Sequence, residues 1–298
     1  MNKKAIIEKS AQTIFLVSAV IAILAVCSIT VYMILKGTSA LKEVGVLDLL
    51  FGTVWQPTAE TPSFGIAYII MSSIVGTGVA VLLGVPVGLL TAVFLSEIAG
   101  KKIAAVVGGA VELLAAIPSV IYGLIGMMIL NPFMYSLEKS IFKGNPNHQF
   151  TGGANMLSAI IVLAIMILPT VISVSTSSLK AVAGQLRAAS LALGATHIQT
   201  IFKVVIPAAK SGILAGVILG IGRAIGETMA VIMVAGNQPR MPAGLLKGVR
   251  TLTSNIVMEM GYAADLHREA LIATAVVLFV FILLINLLFS VLKRRTNE

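Results

Sequence analysis

The chain has 298 residues, of which 58% are hydrophobic and only 11% charged, and its mean hydropathy is +1.02. An ordinary soluble domain carries roughly 25% charged residues, so the composition excludes a soluble globular fold and leaves a membrane protein. The formal charge of +9 raises nucleic acid as a partner, to be weighed once the basic residues are mapped, and the single cysteine, Cys27, excludes an internal disulfide.

Six apolar stretches are long enough to cross a hydrocarbon core of about 30 Å as helices of roughly 20 residues. They lie near 13–35, 66–95, 103–130, 154–179, 208–236 and 270–292. The first runs without a charge from Thr13 to Leu35 behind Lys3, Lys4 and Lys9. Its length and the lack of a small-x-small cleavage site favour an uncleaved span over a signal peptide. The period-two alternation of a membrane barrel is missing. The expected fold class is therefore all-α: a polytopic membrane protein with six transmembrane helices. Residues 1–65 form the tail, first span and first external loop, and 66–298 a five-helix core.

With a cytoplasmic N-terminus, the inside segments hold 12 Lys and Arg, including Lys101, Lys102, Lys180, Lys203, Lys210, Lys293, Arg294 and Arg295. The outside segments, 36–65, 131–153 and 237–269, hold 8. Acidic residues run the other way, with three inside (Glu8, Glu97, Glu298) and seven outside. The positive-inside rule therefore predicts cytoplasmic termini, and the excess charge is explained without nucleic acid. The outer loops carry turn formers such as Asn145-Pro146-Asn147 and the only tryptophan, Trp55.

In the second span Gly84 and Gly88 flank Pro86, a small-residue pair that permits close helix approach. The third carries Glu112, an intramembrane carboxylate that reads equally as a functional group or an anchor near the membrane surface. Its Pro118 should kink or break the span. The segment after span four, Leu186-Arg187-Ala188-Ala189-Ser190 through Gly194-Ala195-Thr196-His197 to Ile206-Pro207, reads as two short helices around a glycine turn. With its flanks, from Lys180 to Lys210, it holds four positive charges and no negative one, so a surface helix on anionic lipid is one reading.

Span five holds Arg223 near its middle, followed by Glu227 and Thr228, then Gly236-Asn237. A continuous helix would put Glu227 one turn above Arg223 on the same face. Two readings stay open: a self-neutralising ion pair that pins the span, or an anion path in which Arg223 attracts the ion and Glu227 orients Arg223 or gates the ion's release. Gly212, Gly216 and Gly220 recur every four residues as a packing stripe. The Gly220–Gly226 stretch lacks the spacing and preceding strand of a dinucleotide loop. No Gly-x-x-x-x-Gly-Lys-Ser/Thr loop exists, and His148, His197 and His267 lack zinc-ligand spacing. The chain is thus expected to be no enzyme and to hold no metal or cofactor of its own.

The 187–207 segment resembles the loop by which permease subunits of ABC importers dock on their ATPase. That loop reads Glu-Ala-Ala, three residues, Gly, nine residues, Ile, one residue, Leu-Pro. Here Ala188-Ala189-Ser190 stands for the triplet, and nine residues after Gly194 come Val204-Val205-Ile206-Pro207. The resemblance carries the docking role onto Arg187, Ala189, Gly194, Ala195, Thr196 and Pro207. Arg-Ala-Ile-Gly-Glu-Thr-Met-Ala-Val in span five, Glu-Leu-Leu-Ala-x-Ile-Pro-Ser-Val-x-Tyr-Gly in span three, and Arg250-Thr251-Leu252-Thr253 narrow it to the PstC-type permeases of phosphate importers.

The resemblance implies the type I, MetI-like permease architecture in a bacterial or archaeal inner membrane. It implies a substrate path through Arg223, Glu227, Thr228, Glu112 and Asn237, shaped by the kinks and packing at Pro118, Pro86, Gly216 and Gly220. It also implies a PstA-like permease, a PstB-like ATPase dimer that holds ATP and Mg, and a PstS-like extracytoplasmic phosphate-binding protein as partners. Another oxyanion, such as molybdate, sulfate or phosphonate, remains an alternative, as does an ion-coupled secondary transporter with Glu112 and Glu227 as proton relay.

Overall fold

A computed structural model describes residues 3–146 and 148–297, with side chains described over 8–146 and 148–291. Asn147 and Glu298 lie outside the described residues, as do the side chains of Lys3, Lys4, Lys293, Arg294 and Arg295 used in the charge count.

The first helix, α1 (Lys3–Val44), continues nine residues past its apolar run. None of that apolar stretch is buried by the rest of the chain. Only toward its end does it find a partner, where Gly37 meets Ala273. Gly45, with φ 88°, turns the chain into α2 (Val46–Phe51). A two-residue hairpin follows, β1 (Trp55–Gln56) antiparallel to β2 (Ser63–Phe64), with Trp55 opposite Phe64.

Next come α3 (Ala67–Val93), extended by a π-helical turn at Phe94–Ile98, and α4 (Lys101–Ala116). Then α5 (Ser119–Ile125) runs through a second π turn into α6 (Asn131–Ile141), and α7 (Met156–Lys180) follows. Beyond it lie α8 (Gly184–Ala192), α9 (His197–Thr200), a π turn at Ile201–Val205 and α10 (Ile206–Ala208). The chain ends with α11 (Lys210–Gly226), α12 (Met229–Val234), α13 (Leu252–Glu259) and α14 (Asp265–Asn297).

Two expected spans are corrected. The third is not 103–130: Pro118 lacks an N–H and Ile117 is extended (φ −69°, ψ 126°), so the helix stops at Ala116. The 16 residues of α4 reach about 24 Å at about 1.5 Å each, short of a crossing. The spanning helix is Ser119–Ile141 instead, and the loop expected to begin at 131 begins after it. The fifth is not one helix over 208–236, because the chain leaves the helix at Glu227 and restarts at Met229. Five described helices are long and apolar enough to cross a membrane, and a sixth crossing arises when His197–Ala208 and Lys210–Gly226, bent by 70°, count together.

The core is built on α7, gripped on two sides by glycines. On one side Gly84 and Gly88 of α3 face Ile167 and Val171. On the other, Gly212, Gly216 and Gly220 of α11 face Ser178, Val174 and Val171. The packing stripe read from the sequence is therefore the α7–α11 seam. A Cβ on Gly212 would stand 2.2 Å from Ser178 Oγ. Gly212→Leu should destabilise the subunit by roughly 1–3 kcal/mol through overpacking. Gly222→Ala, whose Cβ would meet nothing within 4 Å, should not. Thermal unfolding in detergent separates the two, and equal shifts would refute the seam.

Candidate translocation site and docking loop

At the break in span five, Glu227 is extended (φ −69°, ψ 130°). Its Oε1 accepts the Ala230 N–H at 3.1 Å, so the carboxylate caps the first turn of α12. Its carbonyl accepts the Thr253 hydroxyl at 2.9 Å. Thr228 donates its hydroxyl to the Gly226 carbonyl at 3.2 Å. Glu227 therefore does not stand one turn above Arg223 on a shared helical face. No ion pair joins the two among the described residues.

Arg223 sits in the last turn of α11, where a cation complements the helix dipole. It is partly exposed and has no hydrogen-bond or ion-pair partner among the described residues. Its guanidinium lies within electrostatic range of Tyr122. The Tyr122 hydroxyl donates to the Leu114 carbonyl at 2.7 Å, bridging the break at Pro118. A Cβ on Gly123 would stand 2.8 Å from Ala230 Cα, so α5 lies directly on α12. The two broken segments are side by side, with a free arginine next to them.

Behind the break, Ser72, Ser73, Thr77, Glu227 and Thr251 contribute to the wall of a cavity of about 20 Å³. That is room for about one water, too small for an oxyanion. Ser73 Oγ accepts the Leu252 N–H at 2.9 Å and holds the start of α13 against α3. Asn237 lies elsewhere: in a left-handed conformation (φ 52°), it donates from Nδ2 to the Ile232 carbonyl at 2.7 Å and so caps the end of α12. Glu112 is exposed on α4 and lines a separate cavity of about 330 Å³ with Thr176, Ser177 and Lys180. Pro86 lies inside α3, between the two glycines that meet α7.

Sequence reasoning missed a buried hub at Glu259. Its carboxylate accepts from Trp55 Nε1 at 2.9 Å, contacts His267 Nε2 at 2.9 Å, and pairs with Arg250. Arg250 also reaches the Asn237 carbonyl at 3.0 Å. The hub ties the hairpin, α13, α14 and the end of α12 together. The lone tryptophan was the one local signal, since its indole N–H needs a partner when buried.

The 187–207 segment folds as expected into two short helices. Gly194 turns the chain at φ 85° with open space around its Cα, and Leu193 beside it is 90% exposed. Thr196 and Gln199 form a reciprocal capping box at the start of α9. Ala189 and Pro207 are exposed, and Ala195 donates its N–H to the Ser190 carbonyl at 3.2 Å. Ile201 and Val205 are buried with Val93 and Leu179, which fixes the loop to the bundle.

Arg187 points inward. It forks onto Glu97 (Nε–Oε2 3.1 Å, Nη2–Oε1 2.8 Å) and donates to the carbonyls of Leu179 and Val182 at the end of α7. The bonds to Glu97 hold its pKa above the ordinary arginine value, so the charge is permanent. Arg187→Ala would strand a carboxylate whose side chain is 5% exposed, at an expected cost of about 3 kcal/mol. Arg187→Lys should restore only part of it, because an ammonium cannot reproduce the fork. Thermal melts of the two variants check this, and an unchanged alanine variant would refute the clamp.

The family model for "binding-protein-dependent transport system inner membrane component" matches residues 84–298. The chain is 36% identical over 291 residues to the probable ABC transporter permease protein YqgH of Bacillus subtilis, covering 95% of this chain and 91% of that one. It is 34% identical over 278 residues to the phosphate transport system permease protein PstC of Mesorhizobium japonicum, covering 90% and 84%. Its fold matches a chain of a bacterial alginate ABC transporter with a TM-score of 0.67 at 18% identity, covering 99% and 98%.

Proposed function

From the premise that the chain belongs to the binding-protein-dependent transport system inner membrane components, and is thus a multi-pass permease subunit of an ABC importer, we propose that its substrate is inorganic phosphate. The observation that carries this reading is the unpaired Arg223 beside two adjacent helix breaks. A fixed positive charge in a low-dielectric bundle attracts an anion strongly. A single one avoids holding the ion too tightly for release, as conduction through successive weak sites requires. Likeness to PstC proteins along most of the chain supports the same substrate.

In this reading Arg223 draws phosphate to the breaks, and Glu227 and Thr228 keep the backbone there open by capping the restarted helix. Glu112 faces the ion on the docking-loop side of the bundle, and Asn237 shapes the opposite mouth. The exposed turn at Leu193-Gly194 enters a PstB-like ATPase dimer, which supplies ATP and Mg. A PstA-like permease completes the path, and a PstS-like binding protein delivers the ion from outside. Both termini are cytoplasmic.

Uptake of labelled phosphate into reconstituted vesicles tests the reading. Uptake should require the ATPase and the binding protein and resist excess sulfate or molybdate. Uptake that survives an inactive ATPase but collapses with the proton gradient would instead support a secondary transporter.

A further inference from the structure

We propose that a pocket at the end of α7 opposite the docking loop is a capture site for a small inorganic oxyanion, held by Arg240 and Lys247. It rests on the importer reading above, which puts this mouth outside the membrane. The pocket has a volume of about 230 Å³ and lies between residues 148–151 and 238–248. Arg240, Lys247, Gln149, Gln238, His148 and Thr151 line it, and among the described residues no carboxylate does. Neither cation has an acidic partner within 4 Å among the described residues. Arg240 spends one weak bond, 3.4 Å long, on Gln149 Oε1.

The walls are fixed before any ligand arrives. The Met156 and Leu157 N–H groups donate to the carbonyls of Lys247 and Leu245 at 3.0 and 2.8 Å, which fastens the lysine loop to the first turn of α7. A Cβ on Gly248 would press against Gln238 at 3.2 Å, so the two sides of that loop are in contact. Across the pocket His148 stacks on Phe142 with centroids 3.7 Å apart and bonds Glu138 at 2.8 Å. Glu138 is fully buried and also receives the N–H and hydroxyl of Thr151. Glu138, the carboxylate behind the pocket, is thus enclosed and saturated, while the two cations are exposed residues of its lining.

Two uncompensated cations around a preformed hollow suit a compact anion, which can take charge-assisted bonds from both at once. An acidic protein surface is disfavoured by shape, since stable docking covers about 800 Å² on each partner and this is a recess of about 230 Å³ with Arg240 and Lys247 exposed at it.

The test uses the intact permease–ATPase complex in lipid nanodiscs and follows acetylation of Lys247 by mass spectrometry. Phosphate at ten times its dissociation constant should slow acetylation about tenfold, because only empty sites react. Chloride at matched ionic strength should not. Arg240→Gln should raise the phosphate concentration needed by about tenfold, the loss of one charge-assisted contact. Equal protection by chloride would reduce the effect to screening and overturn the site. Protection that appears only with added binding protein would overturn it in favour of a protein-docking surface. The anion comparison uses the wild-type complex, so it stands even if the variant fails to assemble. Protection without phosphate uptake would refute the substrate assignment and leave the pocket standing.

Discussion

Arg223→Ala should lower phosphate uptake by about two orders of magnitude, the loss of one charge-assisted contact made in a poorly screened setting. Copurification of the ATPase should be unchanged. The reasoning starts from the absence of a partner: no hydrogen bond or ion pair holds Arg223 among the described residues. A structural arginine at this depth would be paired, because an uncompensated charge inside a membrane protein is costly. Removing an unpaired arginine strands no carboxylate, so the fold should survive, unlike the Arg187 case. Arg223→Lys should retain part of the activity, since it keeps the charge and loses the planar fork. Near-normal uptake in Arg223→Ala would leave the residue outside the path.

The second large effect is expected at the opposite end of α7. Leu193 is 90% exposed at the tip of the turn, next to Gly194 in a left-handed conformation. Full burial of a leucine contributes about 1.5–3 kcal/mol. If the turn enters the ATPase, Leu193→Glu should weaken that association about a hundredfold, through lost burial together with a charge forced into the contact. Gly194→Glu should act with it by a different route: nothing lies near its Cα to clash, but a side chain at that φ is strained. Pull-down of the ATPase reads both, and the melting temperature of the isolated Leu193→Glu subunit should stay near wild type. Unaltered association of Leu193→Glu would place the contact elsewhere.

Much of the architecture was legible because it depends on local rules. Apolar run lengths located most of the helices, Pro118 marked a break, and glycines spaced by four marked the seam against α7. The exact crossing around Pro118 was not legible, since the flanks are equally apolar and hydropathy cannot say which side traverses. The end of α11 was harder. Spacing of four residues implies one face only while the helix continues, and whether it continues past Gly226 is decided by Thr253 bonding the Glu227 carbonyl and Glu227 capping Ala230. The first of those contacts comes from 26 residues away. The same holds for the Glu259 hub and for Glu97, whose partner lies 90 residues on. A charge count by segment assigns Glu97 to the inside and Glu259 to the outside, and nothing adjacent in sequence marks either as paired.

The clamp at Arg187 ties the helix before the Leu193-Gly194 turn to the ends of two packed helices. Through Glu97 it grips the end of α3, and through the Leu179 and Val182 carbonyls it grips the end of α7. The glycine seams leave no slack between α7 and either neighbour. α3, α7 and α11 are thus packed against one another along their length, with the turn fastened to the ends of α3 and α7. Helical hydrogen bonding is interrupted at Ile117-Pro118, at the 70° bend before Lys210 and at Glu227-Thr228, and Arg223 lies one turn before the last of these.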